Sequence, residues 1–342
     1  MSVRVSNKAI YAVSISLCAA IVAVGASSHK LSVHAGKSEL IVTVPDGEFT
    51  LTDQEITRYV QHGANAIVRY FGKFPMPRIN VELQPARGDD VVFGRTKPIH
   101  GATITMFVGR QCAAAALEDD WTLTHEMTHV AFPATKEDDT DWLGEGMATY
   151  VEPVARAQAG YLTPEYVWNE FVMRMPRGEP QPGETGLNQA HAFRRIYWGG
   201  AMFFLVADIE MRHATGNKKG MQDAFRFIMN DKGTIAYQWP IAMILKEGDE
   251  ATGTHVLEDM YAEWKDKPVE VDLQKIWKSL GIEKSGTSVV FHDDAPDAPI
   301  RKAIIGGKPK PGDISGKGGL PVLHVDWKKE SDHVCICCIY EN

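Results

Sequence analysis

The 342-residue sequence has no dense tract of lysine and arginine, and its formal net charge at pH 7 is −8. A protein that binds nucleic acid needs a basic surface, so no nucleic-acid partner is expected. Only five cysteines occur, and their spacing gives no regular disulfide framework. The sequence also shows no internal repeat. Its hydrophobic content of 44% and charged content of 23% are ordinary for a folded chain with a sizeable core.

An apolar run over residues 9–26 follows a short basic start that contains Arg4 and Lys8. The run is near the lower length limit for a membrane span, and the small residues at its end suit a signal-peptidase cut. We therefore predict that residues 1–26 are a signal peptide and that the protein is secreted or periplasmic. A retained membrane anchor is the alternative, and a membrane is an expected partner only in that case.

Apart from Cys18, which lies in the apolar run, the cysteines divide into one internal residue and a group near the C-terminus. Cys112 is predicted to be a small buried residue. Cys335, Cys337 and Cys338 lie in a C-terminal tail. Either this tail has no structural partner, or its cysteines bind a metal ion or form disulfides.

The candidate site centres on an H-E-x-x-H motif from His125 to His129, inside a segment, residues 112–132, that is predicted to be one helix. In a helix, residues four apart share a face, so both imidazoles can bind one ion. Glu126 is turned about 100° away, where it can accept a proton from a water molecule on the metal. This pattern predicts half of a zinc site.

A zinc site with two histidines needs a third protein ligand and one position for water. Glu145 lies near the start of a second predicted helix that opens at Asp141, and it is the obvious supplier. We therefore predict one Zn²⁺ ion bound by His125, His129 and Glu145.

The H-E-x-x-H motif and the run W-L-G-E-G-M-A at residues 142–148 resemble the gluzincin metallopeptidases, above all their aminopeptidase N-like branch. Tyr197 begins the run Y-W-G-G, which is similar to that branch's Y-x-K-G. The resemblance implies that the hydroxyl of Tyr197 steadies a tetrahedral intermediate. It also implies an α+β fold, a thermolysin-like zincin catalytic domain. In that fold a small mixed sheet and the zinc helix form an upper lobe, and helices form a lower lobe.

The chain departs from the aminopeptidase N-like pattern at three places. The spacer between the two metal-binding motifs is shorter than in typical aminopeptidases, and Gly199 replaces the lysine of Y-x-K-G. That branch also carries a G-x-M-E-N strand whose glutamate holds the free amino group of the substrate. The matching residues here, 100–106, include no carboxylate. We expect this strand to pair with an extended peptide by edge addition but not to capture an amine.

The apolar patterns predict the elements around the site. Strands are predicted at residues 39–44, 78–83, 101–108 and 287–291, and helices at 52–71, 191–215, 221–229, 237–245, 253–264 and 273–280. The predicted organisation is an upper α/β lobe over residues 38–140, a helical lower lobe over 141–305 and a flexible tail over 306–342.

Four further residues are secondary candidates. Thr149 and Glu152, one and two turns beyond the third ligand, are candidates for orienting the metal ligands. His100 and His191 lie near the motifs in sequence order, and each is expected to be a surface or core histidine rather than a substrate contact.

The leading hypothesis is an exported zinc metallopeptidase that hydrolyses peptide bonds, with Glu126 as general base. Its expected partner is a peptide or protein substrate. Two alternatives stay open: a zinc-stabilised binding or scaffold protein without catalysis, and a zinc hydrolase of non-peptide amides or esters.

Overall fold

The first third of the chain contains a five-stranded mixed β-sheet. The computed structural model describes residues 27–137 and 140–306. The strands are β1 (Ser28–Ala35), β2 (Ser38–Pro45), β3 (Arg78–Ala86), β4 (Val91–Lys97) and β5 (Thr103–Gly109). Their order is β1-β2-β3-β5-β4, in which β2, β3 and β5 run parallel and both outer strands run antiparallel to their neighbours. Strand β4 is therefore an edge strand.

One face of this sheet is apolar because side chains alternate between the two faces of each strand. Val42 pairs with Val81, which in turn pairs with Ile104, and all three are fully buried. Helix α1 (Asp53–Phe71) contacts β1 and belongs to the same hydrophobic core. The helix begins with a capping box, in which the side chain of Thr52 accepts from the amide of Glu55 and the Glu55 carboxylate accepts from the amide of Thr52.

Helices make up most of the remaining structure. In chain order they are α2 (Ala114–Asp119), α3 (Thr122–Val130), α4 (Asp141–Gln158), α5 (Pro164–Arg174), α6 (Gly200–Ala214), α7 (Met221–Asn230), α8 (Ile241–Thr252), α9 (Val256–Trp264), α10 (Leu273–Leu280) and α11 (Ala298–Gly306). Two small sheets pair β6 (Ala134–Thr135) with β7 (Gln238–Trp239) and β8 (Ile282–Ser285) with β9 (Ser288–Phe291). The buried hydrophobic residues form a continuous core from Val33 to Ile305.

The predicted combination of a small mixed sheet with many helices is confirmed. The predicted strands at 39–44, 78–83, 101–108 and 287–291 correspond to β2, β3, β5 and β9, and the predicted helices at 52–71, 221–229, 253–264 and 273–280 to α1, α7, α9 and α10. The sequence pattern does not indicate β1, β4, α5 or α11.

The prediction of one helix over residues 112–132 is wrong. The structure has α2 and α3 instead, separated by Asp120 and Trp121, and the backbone of Asp120 is extended. The Asp120 carboxylate accepts hydrogen bonds from the backbone amides of Thr122 and Leu123, at 3.0 Å each. Aspartate is a preferred residue at helix starts because its side chain satisfies these otherwise unpaired amides. The helix with the H-E-x-x-H motif therefore begins only one turn before the motif.

Two other predicted elements also differ. Residues 237–245 were expected to form a helix, but β7 takes up the first part and α8 begins only after Pro240. The helix predicted for residues 191–215 begins as a π-helical turn, Arg195–Gly199, before continuing as α6.

Residues 103–106 of the segment 100–106 lie in β5, which is not an edge strand, contrary to the sequence-based expectation. Strand β5 pairs with β3 on one side and with β4 on the other, so neither of its edges is available to a peptide. The two edge strands of the sheet are β1 and β4.

The predicted signal peptide lies outside the described residues, and so does the predicted tail apart from Gly306. Cys112 is fully buried, as predicted. Within the described ranges, no helix is both long and apolar enough to cross a membrane.

Candidate metal centre

Helix α3 presents two histidines on one face. His125 and His129 are four residues apart, and their Nε2 atoms are separated by 3.3 Å. The opposite face of the helix carries Leu123, Met127 and Val130, which are buried in the core. Since these side chains fix the rotation of the helix, His125 is held with only 1% of its surface exposed.

Helix α4 supplies the third side chain of the centre. Trp142, Leu143 and Met147 are buried and anchor the first turns of this helix, and Glu145 lies between them on the side that faces α3. One carboxylate oxygen of Glu145, Oε2, lies 3.1 Å from Nε2 of His125 and 3.5 Å from Nε2 of His129.

The separations among these three donor atoms fit a zinc ion. In a tetrahedral zinc site with ligand distances of about 2.0–2.1 Å, two donor atoms lie about 3.3–3.4 Å apart. The three observed separations are 3.1, 3.3 and 3.5 Å. Within the described residues, this trio is the one group of three or more His, Cys, Asp or Glu side chains that could hold an ion. The geometry therefore matches three ligands around one ion.

The ionisation of the third side chain also suits a metal ligand. Burial alone would raise the pKa of Glu145, but the charge on His129 and hydrogen bonds with His125 and His129 hold this pKa well below its ordinary value. The carboxylate is therefore ionised at neutral pH, which is the form that binds zinc.

Glu126 lies beside the centre and contacts the edge strand β4. The hydroxyl of Thr96 donates to the Glu126 carboxylate at 2.7 Å and to the Glu126 carbonyl oxygen at 2.9 Å. Gly94 is so close that a Cβ atom there would lie 2.7 Å from Cγ of Glu126. Burial raises the pKa of Glu126, while the charges of His129 and His125 oppose this rise. The result is an enclosed carboxyl group with one fixed oxygen.

Tyr197 is brought to the same place by the π-helical turn that precedes α6. Its ring lies parallel to that of His125, with an interplanar angle of 9° and a centroid separation of 5.8 Å. Short π-helical segments within α-helices are frequently found at functional sites. Here the turn places a buried tyrosine against a metal-site histidine.

A close helix crossing fixes the distance between these elements. Gly146 of α4 meets Gly200 of α6, and a Cβ atom on Gly146 would lie 2.4 Å from the Gly200 backbone. Glu145 directly precedes the first of these glycines, and Tyr197 precedes the second by one turn. The crossing therefore fixes the position of Glu145 relative to Tyr197.

The two candidates for orienting the ligands have different surroundings. Glu152 is buried and pairs with Arg156 at 3.0 Å. Thr149 has a buried hydroxyl oxygen, and within the described chain neither this atom nor Nδ1 of His125 has a hydrogen-bond partner. Burial raises the pKa of Glu152, against the opposing charge of Arg156.

His100 and His191 are exposed, as expected for histidines outside the site. His100 adopts a φ of 51° in the turn between β4 and β5. Neither belongs to the group of side chains that could hold an ion.

A cleft of about 540 Å³ adjoins the centre. Its wall includes Thr96 of the edge strand, His129 and Glu145 of the centre, Thr135 of β6 and Asp141 at the start of α4. Such a volume is within the usual range for ligand pockets, about 300–1,000 Å³.

The fold has known counterparts among solved structures. The chain is similar to an aminopeptidase N family protein from Idiomarina loihiensis, with a TM-score of 0.57 and 13% identity, over 75% of this chain and 49% of that chain. The two share a fold. An M1 zinc metallopeptidase from Deinococcus radiodurans matches at a TM-score of 0.47 and 16% identity, over 72% of this chain and 53% of that one. Comparisons with models of protein families and with curated proteins find no match.

The fold shared with the aminopeptidase N family protein covers only part of that protein. This chain spans about half the length of the solved chains it matches. The similarity therefore concerns the fold that surrounds the site and does not identify a substrate.

Sequence patterns do not reveal every residue of the site. Thr96 and Gly94 reach Glu126 only because β4 pairs with β5 at the edge of the sheet. Trp121 and Phe193 also contact the site, through the rings of His125 and Tyr197. Among these residues, a local sequence pattern indicates only Trp121. The aspartate before α3 favours a helix start at that point, which places Trp121 next to the H-E-x-x-H motif.

Proposed function

We propose that the protein is an exported zinc metallopeptidase of the gluzincin type. The observation that carries this proposal is the convergence of His125, His129 and Glu145 at zinc-ligand separations, with Glu126 beside them. The shared fold supports it, because the similar structure is described as an aminopeptidase N family protein. We also propose the thermolysin-like arrangement, with an upper sheet-containing lobe and a helical lower lobe.

His125, His129 and Glu145 would hold the zinc ion. Bound there, the ion would supply an activated water, because zinc in such a site lowers the pKa of its water to about 7. Glu126 would accept a proton from the attacking water as the oxygen forms a bond to the carbonyl carbon of the peptide. It then donates this proton to the leaving amine as the C–N bond breaks.

Two neighbouring groups assist these steps. The Thr96 hydroxyl donates a 2.7 Å hydrogen bond to the Glu126 carboxylate. The side chain of Glu126 is therefore already oriented before the reaction begins. The Tyr197 hydroxyl is proposed to donate to the oxyanion of the tetrahedral intermediate, with the ring held parallel to that of His125.

The substrate is proposed to bind as an extended chain along β4. This strand has one open edge next to Glu126, which suits pairing with a peptide backbone. Its sequence, V-V-F-G-R-T-K, contains no carboxylate that could hold a free α-amine. Cleavage should therefore not depend on a free amino terminus.

The test is cleavage of a mixed peptide library by the zinc-loaded protein, mapped by mass spectrometry, with half of the library N-acetylated. The matched control is Glu126→Gln, which keeps the shape of the side chain but cannot accept a proton. We expect cleavage by the wild type in both halves, and a rate at least about 100-fold lower for the variant.

Three outcomes would contradict parts of the proposal. If the zinc-loaded wild type cleaves no peptide, the protein is a zinc-stabilised scaffold or acts on other amides, and a panel of small amides and esters separates these two. Equal rates for wild type and Glu126→Gln would exclude the general base. Trimming of the free peptides alone, one residue at a time, would show that an amine is captured after all.

Export is proposed from the N-terminal sequence, in which residues 9–26 are apolar after two basic residues. N-terminal sequencing of the protein from the extracellular or periplasmic fraction should show a chain that starts close to residue 27. An intact N-terminus in the membrane fraction would indicate the retained anchor instead.

A further inference from the structure

Two large aromatic side chains at the metal centre are exposed. Trp121, the residue before α3, has 36% of its surface exposed, and so has Phe193, four residues before Tyr197. Burial of such a side chain is ordinarily favourable, and isolated exposed apolar residues are common on protein surfaces. These two are not isolated from the site, because both touch residues that build it.

Trp121 lies against the first histidine ligand. Its ring meets the ring of His125 edge to face, at 89° and a centroid separation of 5.3 Å. The carbonyl oxygen of Trp121 also accepts the backbone hydrogen bond of His125, at 3.1 Å. The indole is therefore held one helical turn before the ligand, and part of its surface is left open to solvent.

Phe193 lies against the tyrosine of the site. Its ring stacks on that of Tyr197 at a centroid separation of 4.0 Å, and Tyr197 in turn lies parallel to His125 at 5.8 Å. Phe193, Tyr197, His125 and Trp121 thus form a continuous series of ring contacts. Its inner members are buried, and its two ends are exposed.

We propose that Trp121 and Phe193 form apolar subsites beside the metal centre and select peptides that carry an aromatic or large aliphatic side chain next to the scissile bond. This inference rests on the proposed peptidase function and names its substrate class. Each exposed ring face offers a surface on which an apolar side chain is removed from water, and an aromatic side chain gains a ring contact as well. A ring contact of this kind is worth about three- to tenfold in affinity.

The test uses two zinc-binding probes that differ only in their side chain, phenylalanine hydroxamate and glycine hydroxamate. Their dissociation constants are measured by titration calorimetry on the zinc-loaded wild type, on Trp121→Ala and on Phe193→Ala. The matched control is Phe227→Ala, which removes an aromatic ring that is 42% exposed on α7. The zinc content of every variant is measured, and Trp121→Leu and Phe193→Leu replace any alanine variant that fails to fold or to hold zinc.

We expect the wild type to bind the phenylalanine probe at least about tenfold more tightly than the glycine probe. This preference should fall at least about threefold in one or both of the two variants at the site, and stay unchanged in Phe227→Ala. Equal binding of the two probes by the wild type would overturn the proposal. So would an unchanged preference in both site variants.

Cleavage of the peptide library separates this inference from the proposed function. If peptides are cut with no enrichment of apolar residues beside the cut, and the two probes bind equally, the subsites are wrong and the peptidase stands. A clear preference for the phenylalanine probe with no cleavage of any peptide would overturn the peptidase and leave the subsites standing.

Discussion

At the scale of single residues, the position of Glu126, the proposed general base, depends on one hydroxyl group. The Glu126 carboxylate accepts a 2.7 Å hydrogen bond from Thr96, a residue that has no place in the H-E-x-x-H motif. A hydrogen bond to a charged group contributes about 1.5–3 kcal/mol, more than a bond between neutral groups. The orientation of Glu126 is thus determined by the sheet as well as by its own helix.

We expect Thr96→Val to lower kcat for peptide hydrolysis by about 10- to 100-fold, since a loss of about 1.5–3 kcal/mol corresponds to that factor. KM should change little, because the hydroxyl contacts the base. Thr96→Ser keeps the hydroxyl and should retain most of the activity. Steady-state kinetics of the two variants check this, and equal loss in both would show that the methyl group or the packing matters instead.

The residues of the centre differ in how far the sequence reveals them. His125, His129 and Glu145 could be proposed from the motifs, because the spacing of the two histidines is a local property of a helix. Thr96 could not, since its contact with Glu126 requires β4 to lie at the edge of the sheet, next to β5. Strand order is a non-local property, and the short strand has no strong alternation to signal it.

At the scale of secondary-structure elements, the crossing of α4 and α6 determines the geometry of the site. Gly146 and Gly200 allow the two backbones to touch, so Glu145 and Tyr197 are held on adjacent turns of packed helices. The sequence-based prediction included both helices but not their crossing. From the sequence alone, a glycine within a helix is expected only to destabilise it. Its role in close packing can be recognised only when the partner helix is known.

Two glycines of α4 provide a matched pair for testing this crossing. A Cβ atom on Gly144 would have no heavy atom within 4 Å, whereas one on Gly146 would overlap the backbone of Gly200. We expect Gly146→Ala to lower the free energy of unfolding by about 1–3 kcal/mol through overpacking. Gly144→Ala should leave it unchanged or raise it by up to about 1 kcal/mol, because alanine is the better helix former. Urea unfolding of both variants is the measurement, and equal stabilities would contradict a close crossing.

At the start of α3, two local sequence patterns favour different structures. Apolar periodicity continues across Asp120, so residues 112–132 resemble one helix, yet the aspartate caps a new helix and ends the old one. Capping competes with periodicity at such a residue, and here capping prevails. The break also bears on the site, because it places Trp121 directly before the motif helix, against the ring of His125.

At the scale of the whole molecule, the centre joins separate parts of the chain. Its residues come from the sheet edge, from α3, from α4 and from the turn before α6, all packed on one continuous core. An ion bound by side chains from α3 and α4 ties these helices together. Zinc binding should therefore stabilise the native state.

We expect removal of zinc with a chelator to lower the free energy of unfolding by about 4 kcal/mol, relative to protein with free zinc at 1,000 times its dissociation constant. Readdition of zinc should restore the original unfolding curve. Urea unfolding monitored by circular dichroism checks this, with Glu145→Gln as the control that should respond much less. Superimposable curves with and without the chelator would show that no ion is held in the native state.

The most direct measurement of the metal centre is zinc stoichiometry by native mass spectrometry after dialysis. It should be made in a chain with Cys335, Cys337 and Cys338 changed to serine, so that the thiols near the C-terminus do not contribute. We expect one zinc ion per chain, and its loss in the same chain with Glu145→Gln. A chain that retains no zinc, or a Glu145→Gln variant that retains it equally well, would contradict a centre built from these three side chains.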